Sequence, residues 1–537
     1  MTPPAGAADA PGQPPFFERF GDYLAHYATK CPHAEAAVLG DARVTYRALA
    51  SRVEACAAAL MSSGVRKGDR VAMLTTPRTE YLVVFLALAR IGALWVGLNP
   101  RHRFGEFSYV VEDAAPRVLI GLGEFEGRDF SHELRALMRN GGAVRRLVMI
   151  AGGSGCGAST FDEFLAEGER SDAYAVTAQE RGVGAFDPLC IVYTSGSTGA
   201  PKGAVLTHRS FVRCYTTQFR FWPIRPLRIL SNLPVNHIGG LGDVGGYCLI
   251  GGGTQVFMER FDPHLTLDVL RRERVSVWFQ LQTQFRMVGD TGQFEQAELP
   301  DLQLIAWGDK VPMGLARRLS RKAPRLATTY GLSEACGPLT FTAPDASLEE
   351  LSETIGRPVP DYEVRISDAD GQGVPAGVAG ELQVRGDFVM AGYFNRPEQS
   401  AEVLDAGGWL RTGDLARQRP DGNYELVGRL KDMYKSGGYN VYPREVELVL
   451  ESHPEVALAA VIGVPDPLYH EIGHAFVVAA ETSEMQADEL YRYCKASVAN
   501  YKIPKKFHFR AALPMLANGK VDKQALRQEL AVPAQSG

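Results

Sequence analysis

Charge of one sign never gathers in this sequence, and that scarcity removes several functions at once. Its 57 Lys and Arg residues are interspersed among 62 Asp and Glu for a net charge of −5, so no basic stripe offers itself to nucleic acid. Cysteine is scattered too: the eight, at positions 31, 56, 156, 190, 214, 248, 336 and 494, include no Cys-x-x-Cys pair. Neither a zinc site nor a disulfide framework is indicated, and a reducing cytoplasm is the expected setting. Unbroken apolar runs of membrane-spanning length are missing. The nearest approach, Tyr81 to Leu98, is interrupted by Arg90, Gly92 and Gly97 and stopped by Asn99-Pro100. It predicts a buried helix leading into a core strand, with no membrane span. Met1 to Pro15 is rich in Ala, Pro and Gly, lacks the basic end and apolar core of a signal peptide, and reads as a disordered tail. Gln535-Ser536-Gly537 matches no peroxisomal address.

What is present is a 537-residue chain, 45% hydrophobic, long enough for at least two domains. Short apolar strands alternate with amphipathic helices through most of its length, which predicts α/β layering. Thr45-Tyr46 to Leu60 reads as a helix and Val71 to Leu74 as a buried strand. Asp262-Pro263 opens another helix, Asp as cap and Pro at the first helical position, before the strand Val275 to Phe279. A second, α+β unit starts near Lys431, with helices from Pro443 and over Ala487 to Ala499 and strands over Leu458 to Val464 and Ala475 to Ala480.

One loop stands out. Thr194-Ser195-Gly196-Ser197-Thr198-Gly199-Ala200-Pro201-Lys202-Gly203 lies between the apolar runs Cys190 to Tyr193 and Ala204 to Leu206. Backbone N–H groups, hydroxyls and one Lys in a glycine-permitted concave loop suit a polyphosphate. The Walker pattern is absent, because Gly203 follows Lys202 and a strand comes next.

This loop resembles the signature of the adenylate-forming family: acyl- and aryl-CoA synthetases, 4-coumarate:CoA ligases, peptide-synthetase adenylation domains and beetle luciferases. Five further blocks follow in the family's order: Tyr330-Gly331-Leu332-Ser333-Glu334; Gly380-Glu381-Leu382 through Gly392-Tyr393-Phe394-Asn395-Arg396-Pro397; Trp409 to Leu415; Gly428 to Asp432; and Asn518-Gly519-Lys520. Their co-occurrence is far more specific than any one block. The resemblance implies a large N-terminal domain of layered α/β subdomains plus a small barrel, residues 16–430, and a mobile α+β C-terminal lid, residues 431–537, hinged at Lys431.

It also implies an activity and its residues. Acid and ATP would give acyl-AMP and pyrophosphate, and CoA, as cosubstrate, would then take the acyl group as a thioester. Lys520 would bridge the carboxylate and the α-phosphate, two anions that repel until a cation lies between them. Glu334 would ligate Mg2+, a hard cation that wants carboxylate oxygen. Thr194, Ser195, Gly196, Ser197, Thr198, Gly199 and Lys202 would hold the phosphates, and Gly331 and Ser333 belong to the nucleotide element. Tyr330 would lie against adenine, a core tyrosine being the competing reading. Asp414, with two acceptor oxygens, suits the ribose hydroxyls. Arg429 would be a second sugar or phosphate contact, or else a structural ion pair at the hinge.

His237 occupies the position of the family's gate beside the carboxylate, and a structural histidine is the alternative. No acid occurs between Asn232 and Gly242, which argues against an α-amino acid substrate. Ala306-Trp307-Gly308 departs from the small residues that line the family's acyl pocket. An indole there would make the pocket short or redirect it, unless Trp307 turns into the core. Ser436-Gly437-Gly438-Tyr439-Asn440 resembles the loop lining the pantetheine channel once the lid rotates. The expected partner is a small-molecule carboxylic acid. A carrier-protein thiol acting in trans is the alternative acceptor, a homodimer is possible, and nucleic acid is not expected.

Overall fold

The computed structural model describes residues 13–140, 142–150, 158–171, 173–194, 201–308, 310–480, 485–516 and 520–531. Residues 1–12 of the expected tail Met1 to Pro15, the loop residues Ser195, Gly196, Ser197, Thr198 and Gly199, and Asn518-Gly519 lie outside the described residues.

Two large sheets organise the N-terminal part. One has eight strands in the order Gly392–Tyr393, Lys202–Thr207, Pro188–Thr194, Leu94–Leu98, Arg70–Leu74, Val118–Gly121, Arg146–Met149, Ser159–Thr160. The other has nine, running from Arg357–Pro358 through Gly337–Phe341, Arg325–Leu332, Leu304–Gly308, Val277–Phe279, Arg228–Ser231, Thr254–Phe257 and Glu35–Leu39 to Ala42–Thr45. Central strands in both are parallel, with antiparallel strands at edges. Such sheets need helices on both faces, and their strands read as nearly unbroken apolar runs.

Helices Tyr46–Ser62, Thr79–Ile91 and His208–Phe221 fill the space between the sheets, and residues of both sheets join them in one core. Thr79–Ile91 is buried almost all round because it has sheet on either side, which is why its sequence is so apolar. The outer face of the nine-stranded sheet has its own core of Trp278, Ile305 and Trp307 with Phe285 and Leu315. The outer face of the eight-stranded sheet has another, built on Ala72, Val96 and Phe107. The result is five layers, helix–sheet–helix–sheet–helix.

Local chemistry sets the element boundaries. Thr45 Oγ1 accepts from Ala48 N to start the helix at Tyr46, and Asp262 caps His264 N and Leu265 N ahead of Pro263. The apolar run from Tyr81 divides at Gly92, which takes a left-handed conformation (φ +69°) and ends the helix before the strand Leu94–Leu98.

A four-stranded antiparallel sheet, Glu363–Ser367, Gly380–Arg385, Leu410–Gln418 and Tyr424–Arg429, packs its inner residues onto the main core. The chain then enters a C-terminal unit: a hairpin Tyr434–Ser436/Tyr439–Val441, the long pair Val456–Asp466/His470–Ala479, and Lys506–Arg510 parallel to the last of these. Helices Pro443–Glu451 and Ala487–Ser497 cover one face and Lys523–Ala531 the other. No helix among the described residues is long and apolar enough to cross a membrane.

Candidate active site

Three separate stretches meet at Asp414. The strand Leu410–Gln418 carries it, buried, opposite Arg429 in the next strand. Tyr330, on Arg325–Leu332, donates its hydroxyl to Asp414 Oδ2 at 2.6 Å, and Arg429 Nε donates to Oδ1 at 2.7 Å. Burial and the neighbouring carboxylate push the Tyr330 phenol well up, so it remains a donor, while Asp414 raises Arg429 further above its ordinary value. Each carboxylate oxygen keeps a second lone pair able to accept a hydroxyl. Tyr330 is thus anchored by its oxygen, and its ring is nearly covered.

Glu334 sits one short turn beyond, on Ser333–Ala335, with Ser333 buried beneath it. Its Oε1 accepts from the Tyr393 hydroxyl at 2.9 Å, and its backbone carbonyl accepts from Met390 N at 2.8 Å. The Lys202 ammonium lies 5.2 Å from the centre of the Tyr393 ring, so one tyrosine links Lys202 to Glu334. Thr194 closes the base of the loop, its hydroxyl donating to the Lys202 carbonyl at 3.3 Å. Behind it, Tyr193 and Arg396 both hold Asp113, at 2.6 and 2.7 Å. Lys431 also reaches this cluster. Burial and Arg429 lower its ammonium, against the pull of Asp432, Asp414 and Glu334.

On the other side, His237 is half-buried before the turn Gly239–Gly246, and Gly239 N donates to its Nδ1 at 3.2 Å. Burial holds His237 down to about 4, and the Lys520 ammonium adds to that effect. A lysine of the C-terminal unit therefore lies close enough to act electrostatically on a histidine of the N-terminal part. Its own strand pair is short: Leu516 N donates to the Lys520 carbonyl at 2.7 Å, and Met515 bridges Val521. Arg286, on the helix Gln282–Gly289, donates to the backbone carbonyls of Val456, Ala457 and Glu451 and joins the two parts there.

The structure thus brings Lys202, Tyr330, Glu334, Asp414, Arg429 and Lys431 into one neighbourhood and sets Lys520 within electrostatic reach of His237. It leaves Gly437 and Gly438 elsewhere. They form the turn of the C-terminal hairpin with φ +57° and +85°, and Gly437 N donates to the Tyr469 carbonyl. Gly331 is exposed.

Trp307 requires a correction. It does not line an acyl pocket: it is completely buried on the outer face of the sheet, with its ring 6.3 Å from Phe285 at 84°. Strand alternation decides this, since Ala306 faces the inner core and Trp307 must face the opposite way. Gly308 has open space where a side chain would start. The argument from Trp307 for a short pocket therefore falls.

Two residues were missed. Tyr393 lay in a quoted block without a role, and a tyrosine paired with a strand-edge glycine is too common a signal to single out. Asp243 lies one residue past the segment searched for an acid. Its signal was Gly239-Gly240-Leu241-Gly242-Asp243-Val244-Gly245-Gly246, whose only charge sits among glycines and apolar residues.

Layered sheets, Lys202 at a strand edge, an acid–tyrosine–arginine cluster at Asp414 and a C-terminal lysine within electrostatic reach of His237 together point to an adenylate-forming ligase. The chain belongs to the AMP-binding enzyme family: that family's model matches residues 24–394, and the AMP-binding enzyme C-terminal domain matches residues 445–520. It is 35% identical over 510 residues to a feruloyl-CoA synthase of an Amycolatopsis species, covering 95% of this chain and 98% of that one. It is 34% identical over 491 residues to an indoleacetate–CoA ligase of Aromatoleum aromaticum, covering 91% and 93%. The anthranilate CoA ligase AuaEII in complex with anthranoyl-AMP superposes with a TM-score of 0.87 at 25% identity, covering 96% of this chain and 98% of that one. The chain is an AMP-forming acid–thiol ligase, which activates a carboxylic acid with ATP and passes the acyl group to CoA.

Proposed function

We propose that the acid is ring-bearing, that adenylation takes place between His237 and the Asp414 cluster, and that the structure holds the lid in its adenylating position. The observation that carries this reading is the proximity of Lys520 to His237, across the junction of the two parts. A cation at that wall stands where an incoming carboxylate must approach the α-phosphate, and it stabilises charge that develops only in the transition state. Asp414 takes the ribose hydroxyls, with Tyr330 and Arg429 fixing the carboxylate's orientation. Lys202 and Thr194 face the phosphates. Glu334 suits Mg2+: one oxygen accepts from Tyr393, and the other has no protein hydrogen bond among the described residues. Bound there, the ion would offset phosphate charge.

Residues 16–430 form the adenylation domain and residues 431–537 the lid. Rotation at Lys431 would withdraw Lys520 and bring the Gly437–Gly438 turn to the acyl-adenylate, where two glycines leave room for a narrow thiol arm. The preference for a ring rests on the feruloyl, indoleacetate and anthranoyl chemistry of the relatives.

The test is pyrophosphate release from ATP with a panel of aromatic, alicyclic and straight-chain acids, with and without CoA. Release with ring-bearing acids, and thioester only when CoA is added, supports the reading. Release confined to straight-chain acids removes the ring, and acyl-AMP that CoA leaves untouched removes the thioester step.

A further inference from the structure

Gly239–Gly246 is a π-helical turn, and every residue of it is buried except Asp243, which keeps accessible surface. Asp243 follows by four residues, in the same turn, Gly239, whose N–H binds His237. On its other side stands Gly337, three residues past Glu334, where an added Cβ would lie 2.5 Å from Asp243 Oδ1. The carboxyl group therefore borders the space between the His237 wall and the hairpin that carries Tyr330 and Glu334.

Its neighbours do not satisfy it. Among the described residues its one side-chain hydrogen-bond partner is Tyr215, whose oxygen is 3.5 Å from Asp243 Oδ1 but 2.6 Å from the Cys336 carbonyl, which takes the hydroxyl's single proton. No Lys, Arg or His forms an ion pair with Asp243 among the described residues, and the nearby Cys214, Leu241 and Val244 are apolar and buried. A carboxylate placed so is costly unless something else supplies donors. Burial raises Asp243 to about 8, so the group ionises readily only when a partner donates to it, and a donor on the ligand is what favours the carboxylate form.

We infer that Asp243 is a specificity-determining residue, selecting acids that carry a hydrogen-bond donor, a hydroxyl or an amine, on the ring. This rests on the adenylation site proposed above. The substrate's donor completes the pairing that the protein leaves open, and a ring bearing only methyl or methoxy leaves the carboxyl group without one.

The experiment measures kcat/KM for pyrophosphate release with phenylacetates and cinnamates bearing hydroxyl, aminomethyl, methyl or methoxy groups at the meta or para position. Wild type and the Asp243→Leu and Asp243→Asn variants are compared. Wild type is expected to prefer a donor-bearing acid over its methyl counterpart by roughly 10- to 100-fold. Asp243→Leu should reverse that order. Asp243→Asn, close in shape, should keep a hydroxyl preference and lose an ammonium one, which tells the two donors apart. Equal use of methyl and donor-bearing acids by wild type, a preference for methoxy, or an unchanged order in Asp243→Leu overturns the inference alone. No pyrophosphate from wild type with any acid overturns the adenylation reading and this inference with it.

Discussion

On the proposed reading, a single ammonium decides the first chemical step. Lys520 lies within electrostatic reach of His237, and the Asp414–Tyr330–Arg429 cluster holds itself together without it. Lys520→Ala should therefore lower acyl-AMP formation by roughly 100- to 1,000-fold, the usual loss when one preorganised donor to developing charge is removed. ATP binding, measured by calorimetry, should stay nearly unchanged. Unaltered pyrophosphate release would place the lysine outside the reaction. At this scale much was legible in sequence, because Lys202, Glu334 and Asp414 sit in blocks whose order is itself the signal. Trp307 was not, since the face a strand residue takes depends on which layer lies above it. Asp243 was missed for a related reason: a π-helical turn has no residue pattern that separates it from a glycine-rich loop.

Elements differ in how far their own residues determine them. Asp262-Pro263 and Thr45 are self-contained start signals, and both helices begin there. The turn Gly239–Gly246 depends instead on a neighbour, the helix His208–Phe221, whose Tyr215 lies flush against it. A Cβ at Gly242 would overlap the Tyr215 hydroxyl, and one at Gly246 would meet its ring at 2.5 Å. Gly242→Ala should cost about 1–3 kcal/mol in urea unfolding, as overpacking of a filled core does. It should also displace Asp243, so activity should fall before stability limits it. A variant with wild-type midpoint and wild-type kinetics would show that the turn can spread at no cost.

For the molecule as a whole, acid sensitivity follows from groups in different layers. Burial holds His208, His237 and His474 down to about 4 from an ordinary 6.5, so the unfolded chain takes up their protons first as pH falls. Their contribution is complete above pH 6.5 and is lost as pH drops through 4. Asp243 runs the other way: raised from 3.8 to about 8, it weakens the fold as pH climbs between those values. Tm should thus peak near pH 6.5 and fall towards pH 4. A flat profile over that range would contradict the lowering of these three histidines. The placement of the C-terminal unit rests on fewer contacts. Arg286 donates to the carbonyls of Val456, Ala457 and Glu451, which ties the C-terminal unit down while Lys520 is at His237. If the C-terminal unit rotates as proposed, those bonds belong to one of its positions, so losing them should cost adenylation and spare the step that needs the other. Arg286→Ala should lower pyrophosphate release roughly 10-fold, the effect of about 1.4 kcal/mol. Conversion of supplied acyl-AMP and CoA to thioester should hold steady or rise. Equal loss in both half-reactions would make Arg286 a general support of the fold, with no bearing on where the lid rests.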